Sequence, residues 1–317
     1  MRAVAVRAFG APPELLEMPL PEPGPAELLV EMREAGVNPF DWKIADGILR
    51  PRPHVFPLVL GVDGSGVVTR AGPQAHRFRP GDRICGQFLH DPVGIGTYAE
   101  FATVPESIGV AVVPPGIDFA RAAALPTAGM TALDGLDFLQ MPRGSSLLIV
   151  GASGGIGSFA VQLAAASGVR VLATARGPSA DRVRGLGAET VLDPEKEELS
   201  AQIRRLEPNG LDGLLDLGSD RATFGRLAAL VRGGGAVATS VYVADVEALA
   251  RRGVRARNID LQPRAVLLSR LLEEIGKGRL QVPIESEIPL SDAPRALAES
   301  RARRAVGKTV LRIRPDP

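Results

Sequence analysis

Over the first 120 residues, apolar and polar positions alternate in short spans broken by Gly and Pro, the two-residue period of half-buried strands. The pattern predicts strands at residues 1–8, 27–34 and 58–69, a turn feeding a strand at 80–86, and another strand at 96–104. Beyond residue 120 the period changes. A helix is expected over 122–139 and a fully apolar strand over 146–150. A helix over 156–167 follows, with Ile156, Phe159, Ala160 and Leu163 on one face and Gly168 at its end. The alternation continues with strands at 169–174, 190–192, 213–217 and 236–241, and helices at 179–186, 199–206 and 222–231. Repeated strand–helix units predict an α/β fold, a doubly wound parallel sheet covered by helices on both faces. The tail changes again, with a helix over 263–276 and strands at 281–290 and 309–313 around a helix at 293–303.

Length and composition narrow the class. A chain of 317 residues is about twice a typical domain, so two domains are expected. Hydrophobic residues make up 45% and charged residues 23%, which supports packed cores and argues against disorder. A formal charge of +1 disfavours a globally basic nucleic-acid binder. The single cysteine, Cys85, excludes an internal disulfide and any structural zinc centre built from several thiolates. No uncharged apolar run approaches 18 residues, and the N-terminus lacks the apolar stretch of a signal peptide, so a soluble, cytoplasmic protein is expected.

The strongest local signal is residues 146–168, SLLIVGASGGIGSFAVQLAAASG. Ala152, Gly154 and Gly157 stand at the three spacings of a dinucleotide fingerprint, with a strand before and an amphipathic helix after. Gly154 lets the backbone approach a pyrophosphate, Gly157 lets helix and sheet pack closely, and the first helical amides face the anion. Ala152 replaces the usual first glycine. The second strand then bears on the cofactor. It ends Ala173-Thr174-Ala175-Arg176 with no acid before Asp181, where an NAD site usually places a carboxylate for the ribose 2′-hydroxyl. Arg176 is the candidate partner of a 2′-phosphate, with Thr174 and Ser179 as hydroxyl donors, so NADPH is the expected cofactor.

Five segments taken together, GVNPFDWK (36–43), PLVLGVDGSG (57–66), PGDRICG (80–86), GTYAEF (96–101) and the GASGGIG loop, resemble the zinc-independent quinone oxidoreductases of the medium-chain dehydrogenase/reductase superfamily. The terminal GKTV (307–310) adds to them. The resemblance implies a GroES-like β-rich catalytic domain at 1–121, a Rossmann cofactor domain at 122–278, and a return segment at 279–317 that completes the first. It also implies reduction of quinones or enones with NADPH, frequently by homodimers. Residues 254–259 alternate like the edge strand that relatives pair across a two-fold axis. Zinc-dependent relatives carry a ligand Cys where this chain has Asn38, a His-Glu pair where it has Val62-Asp63, and a third ligand near Thr127. No catalytic metal is expected.

Reduction of such an acceptor builds charge on a carbonyl oxygen, and a donor group can stabilise it. The candidates are Asn38, whose amide could meet substrate or the nicotinamide ribose, and Lys43, an oxyanion partner and proton donor. Asp41 is a lesser candidate, expected to orient the loop or to pair with Lys43. The expected cofactor-contacting set is Thr127, Ser153, Gly154, Gly155, Ile156, Thr174, Arg176, Leu217, Ser240 and Tyr242. His54, His76 and His90 are isolated, Tyr98 reads as a core residue with a bonded hydroxyl, and Arg301, Arg303 and Arg304 read as a solvated helix face. Two competing readings stay open: an enoyl reductase on a carrier-bound substrate, and a non-catalytic NADPH-binding redox sensor.

Overall fold

The computed structural model describes residues 1–302 and 307–314. Arg303 and Arg304 lie outside the described residues. The chain divides into two compact units, one of residues 1–130, 263–278 and 282–317, the other of residues 131–262 and 279–281.

The first unit opens with β1 (Arg2–Val6), β2 (Glu14–Glu17), β3 (Glu27–Gly36), α1 (Pro39–Ala45), β4 (Leu58–Val59), β5 (Asp63–Ala71), β6 (Arg83–Gln87), β7 (Phe101–Pro105), β8 (Val110–Val112) and α2 (Phe119–Ala124). Next in the chain come α3 (Pro126–Leu139), β9 (Ser146–Val150), α4 (Gly155–Ala166), β10 (Arg170–Thr174), α5 (Ser179–Gly185), β11 (Thr190–Leu192), α6 (Leu199–Leu206), β12 (Leu211–Asp216), α7 (Arg221–Ala228), β13 (Val231–Thr239), α8 (Val246–Arg251) and β14 (Arg255–Asn258). The chain ends with α9 (Ala265–Gly276), β15 (Ile284–Pro289), α10 (Ala293–Arg301) and β16 (Lys308–Arg312).

Among the described residues, the first unit holds a sheet in the order β15-β16-β3-β5-β6-β8, with β7 also on β3, and a smaller sheet β2-β1-β4. The long β3 registers against β5 from Leu28↔Ala71 to Gly36↔Asp63, and β16 joins its other side through Val310↔Gly36. The tail therefore returns to this sheet. Val4, Leu28, Met32, Leu60, Ile84 and Tyr98 are almost wholly removed from water in its core.

The second unit is a parallel sheet in the order β11-β10-β9-β12-β13-β14. Counted from β9 as the first strand, that is the 3-2-1-4-5-6 order of a dinucleotide-binding doubly wound sheet. Leu148, Leu172, Leu214 and Val237 form its buried centre. The segment expected to be an edge strand is β14, parallel to β13 through Val237↔Ala256.

Three sequence expectations differ from the structure. The span 58–69 is two strands, because the chain turns at Gly61 with φ of +90° and any side chain there would collide with Tyr98. Of the span 96–104 only Phe101 onward is strand; Gly96 is pressed against the Leu60 carbonyl, and Thr97 and Tyr98 turn inward to bond Asp63 and Asp41. The helix at 122–139 is two helices that break before Pro126, which opens the second because proline cannot donate within a helix. Residues 122–130 and 263–278 group with the first unit, where a side chain at Gly129 would press on Leu271 of α9.

Candidate functional site

In the first unit, the segment around α1 sits over a buried set of ionisable groups. Asp41 reaches back to the helix start, accepting the Asn38 N–H at 2.7 Å, and also accepts the Tyr98 hydroxyl at 2.7 Å and the Val62 N–H at 3.1 Å. These bonds pin the beginning of α1 to the β4–β5 turn and to residue 98. Asp63 accepts the Asn38 amide at 2.9 Å, the Thr127 N–H at 2.9 Å and the Thr127 hydroxyl at 2.6 Å. Gln87 donates to the same Thr127 oxygen at 2.7 Å. Lys308 closes the network from β16, donating to the Asn38 side-chain oxygen at 2.8 Å and the Val37 carbonyl at 3.1 Å.

Asn38, Asp41, Asp63, Tyr98 and Lys308 are all buried. Burial disfavours charge, so it pushes Asp41 up to about 7 against the donors that favour its ionised form. It likewise raises Asp63 and lowers Lys308, while the opposite charges of Asp63 and Lys308 pull each back toward ionisation. Desolvation and the Asp41 carboxylate together raise the Tyr98 hydroxyl well above its ordinary value.

The placement of the candidates follows. Both polar atoms of the Asn38 amide are engaged inside the protein. Asp41 is fully buried and bonds Tyr98 rather than Lys43. Lys43 is partly exposed on α1, its ammonium 5.7 Å from the centre of the Trp42 ring. Arg301 stacks on that ring too, at 5.3 Å, and pairs with Asp46, so it is docked on α1 rather than merely solvated. His54 stacks with Phe9 and Phe56, and His90 is buried against the Thr103 carbonyl. Lys308 escaped the sequence reading as a functional residue. Its only signal was a charged residue inside an otherwise apolar strand pattern.

In the second unit, the fingerprint loop has the geometry a diphosphate requires. Gly151 has φ of +80°, and the Gly154 N–H closes the turn on its carbonyl at 3.1 Å. Gly154 then caps α4 in extended conformation. A side chain at Gly154 would meet only the Gly151 carbonyl, at 3.4 Å, so the space above it is a cradle such a side chain would fill. At Gly157 a side chain would lie 2.3 Å from the Gly151 carbonyl, so the helix approaches the loop as closely as glycine permits. The N–H groups of Gly155, Ile156 and Gly157 belong to the first turn, which has no intrahelical acceptors for them. The residues fit a dinucleotide.

The other expected contacts line the carboxyl ends of the same strands. Thr174 accepts the Gly151 N–H through its hydroxyl at 3.0 Å. Leu217 follows β12 beside Gly151, and the Ser240 N–H bonds the Asp216 carbonyl. Tyr242 is exposed, held at φ of +58°, and donates to Asp260; burial and that carboxylate raise its hydroxyl to about 12. A non-glycine residue in this conformation is strained. Arg176 is 69% exposed and faces Glu195 at 3.5 Å. The sequence reading missed Asp216, buried beneath this rim and accepting the Thr239 hydroxyl and the Ser219 N–H.

Comparison with known proteins agrees with both units. Residues 24–115 match the alcohol dehydrogenase GroES-like domain, and residues 186–311 match the zinc-binding dehydrogenase family. A chloroplastic quinone-oxidoreductase homolog from Spinacia oleracea is 38% identical over 208 residues, 62% of each chain. The chloroplastic quinone-oxidoreductase QR1 of Triphysaria versicolor is 30% identical over 98% of both chains. The quinone oxidoreductase of Coxiella burnetii superposes with a TM-score of 0.91 at 26% identity, covering 99% of each chain.

The second of these family names implies zinc, and the residues here do not fit it. Asn38, Asp63 and Thr127 do come together, but as an amide, a carboxylate and a hydroxyl bonded to one another. Zinc sites draw on thiolate, imidazole and carboxylate, and among the described residues no three His, Cys, Asp or Glu side chains gather. With a GroES-like domain match, a fingerprint loop on a 3-2-1-4-5-6 sheet and relatives aligned from end to end, this chain belongs to the quinone oxidoreductases of the medium-chain dehydrogenase/reductase superfamily.

Proposed function

We propose that the protein is a zinc-independent, NADPH-dependent reductase of quinones or α,β-unsaturated carbonyl acceptors. The observation that carries this reading is the Gly154 cradle at the start of α4, with no carboxylate between Thr174 and Asp181 to hold a free ribose 2′-hydroxyl. Support comes also from a mycobacterial structure solved in complex with NADPH, 28% identical with a TM-score of 0.87. An Arabidopsis NADPH-dependent alkenal/one oxidoreductase, 34% identical over 57% of this chain, points to the same acceptor chemistry.

When bound, the nicotinamide supplies a hydride. The chain's own residues do the rest. The amides of Gly155 and Ile156 bind the diphosphate at the positive end of α4. Ser153, Thr174, Arg176, Leu217, Ser240 and Tyr242 line the cofactor's path along the strand ends, and Thr127 is assigned to its nicotinamide half. Lys43 donates from its ammonium to the acceptor oxygen as charge develops there. Asn38 and Asp41 are positioning residues, since their polar atoms hold the α1 segment that carries Lys43. The β14 edge is assigned to pairing with a second copy, which would remove an exposed sheet edge. No helix among the described residues is long and apolar enough to cross a membrane, and a cytoplasmic location is proposed with the rest.

The test is oxidation of NADPH with benzoquinones, 2-alkenals and cyclic enones offered in parallel. Turnover with at least one class is expected, and failure with all of them would leave the enoyl reductase on a carrier-bound substrate and the non-catalytic reading.

A further inference from the structure

One residue of the basic cluster near the end of the chain is docked on the helix that carries Lys43. Arg301 closes α10, and its guanidinium pairs with Asp46, the residue that caps the end of α1. It also lies 5.3 Å from the centre of the Trp42 ring, while the Lys43 ammonium lies 5.7 Å from the same centre. The Trp42 indole N–H is buried with no hydrogen-bond partner among the described residues, so packing and the two cations, rather than a hydrogen bond, hold the ring. Among the described residues the Lys43 ammonium has no hydrogen bond or ion pair, which leaves its three N–H groups available. A helix as short as α1, seven residues, is not stable by itself. Asp41 pins its start and Arg301 its end.

We infer that Arg301 is a positioning residue for Lys43: by occupying the Trp42 ring it keeps the ammonium from settling there and leaves it free for the acceptor oxygen. The inference rests on the role proposed above for Lys43 and adds the residue that keeps it available. An exposed aromatic face attracts a cation by about 0.5–1 kcal/mol. Two cations on one ring repel each other and draw on the same π-electrons, so each is held less tightly than it would be alone. Arg301 has the stronger hold, because a guanidinium is planar, weakly hydrated and stacks on aromatic faces, whereas an ammonium keeps its water. Asp46 anchors the guanidinium from its other side, so Arg301 stays on the ring when Lys43 leaves it. That ion pair is itself exposed and contributes little to stability, so the consequence falls on Lys43 rather than on the fold.

The test has two arms, both on the full chain, with thermal unfolding of each variant alongside. Trp42 is the chain's only tryptophan, so its indole N–H gives a single resonance that reports charge at the ring without any turnover. Lys43→Met is expected to move that resonance at least about twice as far in an Arg301→Gln background, where the ammonium settles on the ring, as it does with Arg301 present. The second arm is kinetic. For an enone the wild type reduces, Arg301→Gln is expected to lower kcat about 2- to 5-fold and to leave KM for NADPH unchanged. Arg301→Lys, which keeps a cation at the ring, is expected to recover most of that loss and covers the case of a poorly folded glutamine variant. In a Lys43→Met background Arg301→Gln is expected to cost nothing further, because the two residues act through one ammonium. The same fold loss in both backgrounds, an unchanged kcat, or equal shifts of the resonance would each show that Arg301 only docks α10 on α1. Any of these would overturn the inference while leaving the role of Lys43 standing. If the wild type reduces no acceptor, the role of Lys43 fails and this inference fails with it.

Discussion

The two units handle polar groups in opposite ways. In the first, Asp41, Asp63, Asn38 and Lys308 are buried and bonded to one another or to backbone around the start of α1. In the second, the fingerprint loop leaves its helix-start amides facing open space above Gly154, and its nearby arginines stand partly or largely in water. A closed network fixes a shape, because each buried partner that is lost leaves another uncompensated. An open rim keeps its hydrogen-bonding capacity for a ligand. Substitutions in the first unit should therefore appear as stability changes and those on the loop as binding changes. Lys43, on the buried network's helix yet partly exposed, should change neither.

The largest expected effect is on the closed side. Lys308→Met removes the only cation bonded to Asn38 among the described residues and leaves the two carboxylates uncompensated. A loss of about 3–5 kcal/mol in unfolding free energy is expected by chemical denaturation. An unchanged midpoint would break the contrast.

Lys43→Met should leave the unfolding curve in place and lower kcat about 10²- to 10³-fold, or ~2.7–4 kcal/mol of barrier, for an enone the wild type reduces. Quinones, intrinsically better acceptors, should show less. An unaltered kcat would make Lys43 a surface residue.

Gly154→Val should weaken NADPH at least about 100-fold, ~2.7 kcal/mol, with little change in thermal midpoint, since its Cβ meets only the Gly151 carbonyl, at an ordinary contact distance. Gly157→Val should instead unfold the protein earlier, because its side chain would strike the Gly151 carbonyl. Identical behaviour of the two variants would erase the distinction between cradle and packing glycine.

Acidity sharpens the comparison further. Asp41 is pushed from an ordinary carboxylate value up to about 7 in the folded chain, so the folded state holds a proton that the unfolded state releases. Its contribution is therefore present at low pH and lost as pH rises through about 7, by ~1.4 kcal/mol between pH 6 and 8. Stability curves of wild type and Asp41→Asn at those two values isolate the effect. A difference that grows the other way would mean that Asp41 is ionised throughout.

The smallest expected effect is none. Dialysis against a strong chelator should change neither activity nor thermal midpoint, because the donors at residues 38, 63 and 127 cannot recreate a zinc site. A stoichiometric zinc needed for turnover would overturn that reading.

The sequence alone determined most of the second unit. Strands at 146–150 and 190–192 and the helix at 199–206 fall at the expected residues, because apolar runs and helical faces are local patterns bounded by glycine and polar turns. The loop was legible for the same reason, since its glycines do their work within seven residues. The tertiary structure decided the first unit's centre. Asn38 bonds a residue 25 positions away and Lys308 one 270 positions away, and no local period records such pairs. Burial then set what the charges can do. Asp41 looked like a residue for Lys43, yet once β5, residue 98 and β16 enclose it, the partners that satisfy a dehydrated carboxylate are Tyr98 and two backbone amides. Arg301 also needed the fold, because only packing α10 against α1 brings its guanidinium to Trp42 and Asp46.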